Sequence, residues 1–431
     1  MKNLRIAIIT YNWPPRNAIG THRPYAWARY WSEAGASVTI LTANKQLYDE
    51  PLDLDLPPIE GVKVIEVIGS TRLKLIKKVL NFDAVRTLAK KIKNWVNKRS
   101  IISIDPRLSW RYSARPIAGR LALDVDLVVS TYGPAASHLI GYDMKVANPE
   151  LFWVADYRDL WSQNHLTVMS RQNKELSRDT EMNTVATRAD LLSAVSKDMG
   201  VKLRDLTGKE VLYVPNGFDV NENSLLDRFS TLPVKPSGPM RIVYTGMIYE
   251  GHRDPTPLLK ALVELHSDGL ISTGEVTIDF YGSRADLAAR LAENMQYAPF
   301  IRLKGHVSRE EALLAQRSAG ILLLLESTAP EARGVLTGKL FEYIASGKPI
   351  LCIGSQPDYE IGGVLRQTGT GSVVGPSQFP SLKALVLDTL QGNGLYDQYK
   401  PNLTEILKYS RRTQAIEFFE TLREKLKDRE V

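Results

Sequence analysis

Pro233-Val-Lys-Pro-Ser-Gly-Pro-Met-Arg-Ile-Val-Tyr-Thr-Gly246 is the stretch whose reading decides the fold. Its first seven residues hold three prolines and a glycine, so they carry no regular element and read as an interdomain linker, 233–239. Met240-Arg-Ile-Val-Tyr-Thr-Gly246 then restarts the chain with an apolar strand running into glycine, as Leu4-Arg-Ile-Ala-Ile-Ile9 does near the N-terminus. On both sides short apolar runs alternate with helix-length periodic segments, the pattern of a mainly parallel α/β sheet. Strands are expected at Leu4–Ile9, Val38–Leu41, Val62–Val67, Leu127–Ser130, Leu151–Ala155, Leu191–Ala194 and Val211–Val214. Beyond the linker they are expected at Arg241–Tyr244, Val276–Tyr281, Ile301–Leu303, Ile321–Leu325, Ile350–Ile353 and Ser372–Val374. Ser308-Arg-Glu-Glu311 has the spacing of a capping box that opens a helix. The expectation is α/β: two doubly wound, Rossmann-like domains facing a cleft, 1–232 and 240–408, with a terminal helix over 409–430 crossing back onto the first.

Composition agrees with this reading. The chain has 431 residues, 44% hydrophobic and 24% charged, which excludes wholesale disorder. The formal charge of +7 is unevenly spread. Between Arg72 and Arg120 fourteen Lys and Arg face two Asp, a local net of +12, so the remainder is slightly acidic. All seven tryptophans lie before the linker, and Trp27 and Trp31 fall on one helix face. Cys352, the only cysteine, sits in an apolar run and reads as a buried small hydrophobe. No apolar stretch approaches the roughly 18 residues of a spanning helix, and the expectation is a cytoplasmic protein.

In such domains ligands bind where strand ends meet helix starts. The first such loop is Tyr11-Asn-Trp-Pro-Pro-Arg-Asn-Ala-Ile-Gly20, followed by Thr21-His22-Arg23-Pro24, with Pro24 suited to a helix's first turn. It lacks the dinucleotide glycine spacing. The second is Arg333-Gly-Val-Leu-Thr-Gly-Lys-Leu-Phe-Glu342, a glycine-bearing loop entering a helix near Thr337–Lys339. Its amides and Lys339 suit a diphosphate, and Glu342 is placed for ribose or sugar hydroxyls. Three residues rather than four separate Gly334 from Gly338, and Leu340 follows the lysine, so an ATPase P-loop is excluded. The pairs Asp53-Leu-Asp55 and Asp124-Val-Asp126 read as turn or cap residues, and no His or Cys cluster has metal-ligand spacing.

Taken together, these segments resemble the family 4 retaining glycosyltransferases of GT-B fold, in the branch building bacterial capsule, O-antigen or exopolysaccharide. The resemblance rests on the Pro-Pro…Gly20 loop, Val128-Val-Ser-Thr-Tyr-Gly-Pro134 running to His138-Leu-Ile-Gly141, and Trp153-Val-Ala-Asp-Tyr-Arg-Asp-Leu-Trp161. It continues through Pro215-Asn-Gly-Phe-Asp219, Tyr244-Thr-Gly246 and Thr337-Gly-Lys-Leu-Phe-Glu-Tyr-Ile-Ala-Ser-Gly-Lys-Pro-Ile350. It implies a nucleotide-sugar donor held by Gly20, Gly246, Arg253, Leu336, Thr337, Lys339 and Glu342. His138, Asp159, Arg253 and Lys339 would be catalytic, with His22, Arg23, His138, Asp156 and Arg158 on the acceptor side. No metal or other cofactor is expected, because cations suffice to stabilise a leaving diphosphate. Two positions depart from the pattern. Gly334 stands where the first glutamate of Glu-x7-Glu belongs, with Glu331 a candidate substitute, and Met247 and His252 replace the usual Arg-x5-Lys pair.

From Leu73 to Trp95 apolar residues recur at helical spacing among lysines, with Trp110, Arg111, Tyr112 and Arg115 beyond. Such a stretch is a solvated helix face, a nucleic-acid surface or a membrane-docking surface. Without a nucleic-acid motif, docking on an anionic inner-membrane surface through Lys74, Lys77, Lys78, Lys90, Lys91, Trp95 and Trp110 is the expectation. A lipid-linked glycan acceptor would require it. The alternatives are a nucleotide-sugar epimerase of the same architecture and a non-catalytic nucleotide-sugar or membrane-binding module.

Overall fold

The computed structural model describes residues 3–45, 51–67, 106–164, 170–246, 248, 253–282 and 286–430. The chain folds into two units, Met1–Pro215 with Arg411–Val431, and Asn216–Ser410.

In the first unit seven parallel strands form one sheet: β1 (Arg5–Ile9), β2 (Ser37–Ala43), β3 (Lys63–Val67), β4 (Leu127–Thr131), β5 (Phe152–Tyr157), β6 (Leu191–Ala194) and β7 (Val211–Tyr213). Their order is β3-β2-β1-β4-β5-β6-β7, so the chain reverses direction across the sheet between β1 and β4. Every residue of β4, β5 and β6 is buried. Strands covered on both faces read as unbroken apolar runs, which is why they are legible in sequence. The covering helices are α1 (Ile19–Glu33), α2 (Ser109–Asp124), α3 (Ala136–Ala147), α4 (Arg171–Glu181) and α5 (Lys197–Thr207). Because α1 starts at Ile19, Pro24 lies inside it rather than in its first turn and has no N–H to return to the Gly20 carbonyl.

The second unit carries β8 (Met240–Thr245), β9 (Val276–Tyr281), β10 (Ile301–Gly305), β11 (Ile321–Leu325), β12 (Ile350–Ile353) and β13 (Gly371–Val374), all parallel, in the order β10-β9-β8-β11-β12-β13. Here the reversal falls between β8 and β11. Its helices are α6 (Glu222–Phe229), α7 (Thr256–Ser267), α8 (Asp286–Ala292), α9 (Arg309–Arg317), α10 (Gly338–Ile344), α11 (Glu360–Thr368), α12 (Phe379–Leu390), α13 (Leu395–Gln398) and α14 (Leu403–Leu407). Thirteen strands are present among the described residues, each over a run that the sequence marks. The capping box at α9 is also present: Glu311 N donates to Ser308 Oγ at 3.2 Å and Ser308 N to Glu311 Oε2 at 2.9 Å.

The chain leaves the first unit at Pro215, before the breaker-rich 233–239 segment. Residues 216–232 pack with the second unit because Phe218 and Leu225 join the core of Phe341 and Tyr409, and Arg228 donates to the Ala345 carbonyl at 2.8 Å. After Ser410 the last helix, α15 (Arg411–Glu430), belongs to the first unit. Trp27 and Trp31 stack on each other at 5.6 Å and meet its Phe418 at 5.4 and 5.8 Å, and Trp31 Nε1 donates to the Ala415 carbonyl at 2.8 Å. Among the described residues no helix is long and apolar enough to cross a membrane.

Candidate functional site

The reversal between β8 and β11 opens a crevice at their carboxyl ends, where doubly wound sheets bind ligands. Gly246, directly after β8, has φ +127°, and a Cβ there would lie 2.7 Å from Lys339 Nζ, so the residue must be glycine for the lysine to lie across it. Lys339, on the first turn of α10, donates to the Tyr244 hydroxyl at 2.8 Å. Its neighbour across the crevice is Glu326, the residue after β11, whose Oε1 accepts from Thr337 Oγ1 at 3.2 Å. Arg253 acts electrostatically on Tyr244, Glu326 and Lys339 alike. Burial, then Arg253, push the Lys339 ammonium down to about 7, against the pull of Glu326 and Glu342. Burial raises the Glu326 carboxyl, opposed by the two cations. The crevice therefore concentrates positive charge in a poorly solvated place, the condition under which an incoming anion gains most.

Glu342, one turn along α10, is held rather than free. Arg309 pairs with its Oε1 at 2.9 Å, and Gln316 bridges towards Thr245. Leu336 is buried in the core and offers only its backbone. Glu331, the candidate substitute for the missing glutamate, lies exposed in the turn Pro330–Ala332, and the crevice carboxylate is Glu326 instead. Sequence reading missed it; its one signal was an acid directly following a fully apolar strand.

The first unit has its own crevice, between β1 and β4. The Arg158 guanidinium donates to the Tyr132 carbonyl at 3.0 Å and lies against both Gly20 and Gly133, where a Cβ would fall 2.1 and 2.7 Å from it. Asp159 is exposed beside it. Asp156 is placed differently from expectation. It is fully buried, and Arg23, Thr131 and Ser193 occupy its oxygens at 2.7–3.2 Å. Arg23 also donates to the Pro215 carbonyl at 2.8 Å. Both are buried, and the pair ties α1 to β5. His22 is likewise buried.

His138 is fully buried on α3, in ring contact with Tyr132 and Tyr157. Ser130 Oγ accepts the Trp153 Nε1–H at 2.8 Å and sits 2.8 Å from His138 Nδ1. Ser130 Oγ can give its proton to Nδ1 or accept a second hydrogen bond from it, according to the imidazole tautomer. Nε2 is buried without a hydrogen-bond partner. Burial pushes the imidazole down to about 3, so it is neutral at ordinary pH. Gly141 permits this wiring, since a Cβ there would meet Trp153 Nε1 at 2.6 Å.

Of the proposed docking residues, Lys74, Lys77, Lys78, Lys90, Lys91 and Trp95 lie outside the described residues. Trp110 is corrected: it is 2% exposed, edge-on to Tyr11 at 5.5 Å in the core, and cannot meet a lipid surface. Arg111 is engaged by Asp143 at 2.8 Å, whereas Tyr112 and Arg115 are exposed. Both Asp-x-Asp pairs have structural partners: Asn17 donates to Asp53 at 2.8 Å, and Arg5 pairs with Asp126 at 2.6 Å. Among the described residues no three His, Cys, Asp or Glu side chains group as a metal site.

Two doubly wound parallel sheets with helices on both faces are the GT-B fold. The chain is similar over 98% of its length to 99% of a glycosyltransferase from Rickettsia africae ESF-5, at 14% identity and a TM-score of 0.59. It is similar over 97% of its length to 98% of a trehalose-6-phosphate protein from E. coli bound with UDP-2-fluoro glucose, at 11% identity and a TM-score of 0.62. A putative UDP-N-acetylglucosamine 2-epimerase from Listeria monocytogenes matches over 99% of this chain and 97% of its own, at 12% identity and a TM-score of 0.51. No protein-family model and no curated protein matches the sequence.

Proposed function

We propose that the chain is a metal-independent, hexosyl-type glycosyltransferase of family 4, moving a sugar from a nucleotide donor to a lipid-linked glycan with retention of configuration. The observation that carries this reading is the Lys339–Arg253 pair beside Gly246 at the β8–β11 reversal. Breaking an anomeric C–O bond to a nucleoside diphosphate places new negative charge on the departing phosphate oxygen. Two cations, one of them desolvated, would stabilise that charge without a protein nucleophile or a metal. Glu342 would take the ribose hydroxyls, exchanging its Arg309 contact for them. In the first unit, Arg158 and Asp159 would meet the acceptor. His138, neutral and with its Nε2 without a partner, would offer that nitrogen for a hydrogen bond with substrate rather than carry a charge.

The basic 72–120 segment supports a cytoplasmic enzyme bound peripherally to the inner membrane face during surface-polysaccharide synthesis, with Tyr112 and Arg115 exposed at its end. Anionic liposomes should co-sediment the protein, and neutralising Lys74, Lys77, Lys78, Lys90 and Lys91 should abolish this; indifference to anionic lipid counts against docking.

The decisive experiment is donor turnover by Lys339→Met and Arg253→Met, with lipid-linked acceptors and EDTA present. Each is expected to lower turnover by about 10²–10³-fold, the size of losing one stabilising donor. Wild-type turnover in both variants would overturn the reading. Release of an isomerised donor without acceptor would favour the epimerase, and binding without turnover across acceptors a non-catalytic module.

A further inference from the structure

Ser308 caps α9, so Arg309 is the first residue of that helix, and Gln316 lies on the same face two turns on. Both reach Glu342 of α10. Arg309 pairs with Oε1 at 2.9 Å, and the Gln316 amide lies 3.5 Å from Oε2. The two contacts are held differently. Gln316 is buried, and its amide donates to Thr245 Oγ1 at 3.0 Å; Thr245 N donates in turn to the Oη of fully buried Tyr343 at 2.9 Å. Arg309 has no such anchor. Its side chain is 38% exposed, against 14% for Glu342, and Glu342 is its one ion-pair partner among the described residues. A cation at the start of a helix gains nothing from the helix itself, whose N-terminal end is positive. The Glu342 carboxylate is what compensates it there.

We propose that Arg309 is an internal competitor for the ribose: it must swing off Glu342 before a nucleotide's 2′ and 3′ hydroxyls reach the carboxylate, and it thereby sets how strongly the site distinguishes ribose. The inference rests on the assignment of Glu342 to the ribose and adds the residue that governs that contact. A ribose diol offers two O–H donors, which bind a carboxylate as short, charge-assisted hydrogen bonds. In the free protein both carboxylate oxygens are already attended, one by Arg309 and one by Gln316. Gln316 is fixed through Thr245, so the diol enters on the Oε1 side and the guanidinium moves out to water. A part-exposed ion pair is weak enough to open on binding. It is also strong enough that opening it subtracts from the affinity the hydroxyls add.

Titration calorimetry on the full chain compares UDP, GDP and ADP with their 2′,3′-dideoxy forms. The ratio of ribonucleotide to dideoxynucleotide affinity isolates the hydroxyl contacts, because the diphosphate is common to both. In the series that binds, Arg309→Met should raise this ratio by about two- to fivefold, the scale of one part-exposed ion pair. Arg309→Lys, which keeps a cation, should raise it less. Raising the ionic strength from about 0.05 to about 0.5 M should move the wild-type ratio towards that of Arg309→Met and leave the variant's own ratio still, since salt screens the pair and not the hydroxyl bonds. A wild-type ratio indifferent to salt counts against the competition whether or not the variant folds. A ratio that is unchanged or falls in Arg309→Met would mean that Arg309 braces Glu342 or touches the nucleotide itself; it overturns the competition and leaves the ribose assignment intact. Glu342→Gln should lower the ratio, and a ratio unmoved by it overturns the ribose assignment and the competition with it. Failure of all three ribonucleotides to bind overturns the donor reading as well.

Discussion

Lys339 lies between Arg253, which opposes its charge, and Glu326 and Glu342, which favour it, in a place that burial makes poor for any ion. Its folded-state pKa, about 7, is below the ordinary 10.5. The unfolded chain therefore holds a proton that the folded one gives up between those values, and the free protein should gain stability as pH rises through that window. A bound diphosphate restores the charge, so donor binding should take up a proton and weaken as pH climbs from about 7 to about 9. Calorimetry in buffers of different ionisation enthalpy checks this; a buffer-independent heat would refute it. His138 gives the acid-side counterpart. Its pKa of about 3 lies below the unfolded value near 6.5, so its contribution is complete above 6.5 and fades as pH falls towards 3. Urea midpoints at about pH 7 and about pH 4.5 should differ less in His138→Gln than in wild type. Gly246→Ala imposes a side chain at φ +127° and displaces the lysine, so a nucleoside diphosphate should bind about tenfold more weakly with the fold retained. Gly246, Lys339 and Gly20 were legible because motif positions name them. Glu326 and the Ser130–His138–Trp153 chain were not, since neighbours contributed by different strands and helices leave no spacing in the sequence.

At the scale of elements, the strands could be read because both faces are covered and the runs are continuous. Helix limits were less legible. The expectation of a helix start at Pro24 ignored the turns that Ile19 to Arg23 form before it. Glu181 shows what periodicity cannot carry. It closes α4 where the chain passes into a π-helical turn, Met182–Ala186, and its buried carboxylate accepts from Tyr157 OH and Ser162 N. The terminal helix is the clearest element-level test. Trp31, fully buried, bonds to Ala415 and packs on Phe418 and Phe419. Trp31→Ala should cost about 3–5 kcal/mol by leaving a cavity under α15. Chemical denaturation would measure it, and a loss below about 1 kcal/mol would mean that α15 does not anchor the unit.

At the scale of the whole molecule, the second unit is one uninterrupted segment, Asn216–Ser410, inserted between the two parts of the first. All seven tryptophans precede residue 216, so tryptophan fluorescence follows the first unit alone. Thermal unfolding with a nucleoside diphosphate present should therefore raise the calorimetric transition of the second unit by mass action while leaving the fluorescence midpoint nearly unmoved. A fluorescence midpoint that rises in step would show the units melting as one. By itself the sequence determined the strand set, the doubly wound class and the positions of the glycines and cations, because burial and backbone constraints act locally along the chain. Tertiary structure alone decided that the first unit ends at Pro215, that Trp110 faces the core, that Asp156 is consumed by Arg23, and that Glu326 stands beside Lys339. Each of these depends on which strands become neighbours, and a parallel sheet brings together residues whose separation in the chain carries no trace of their contact.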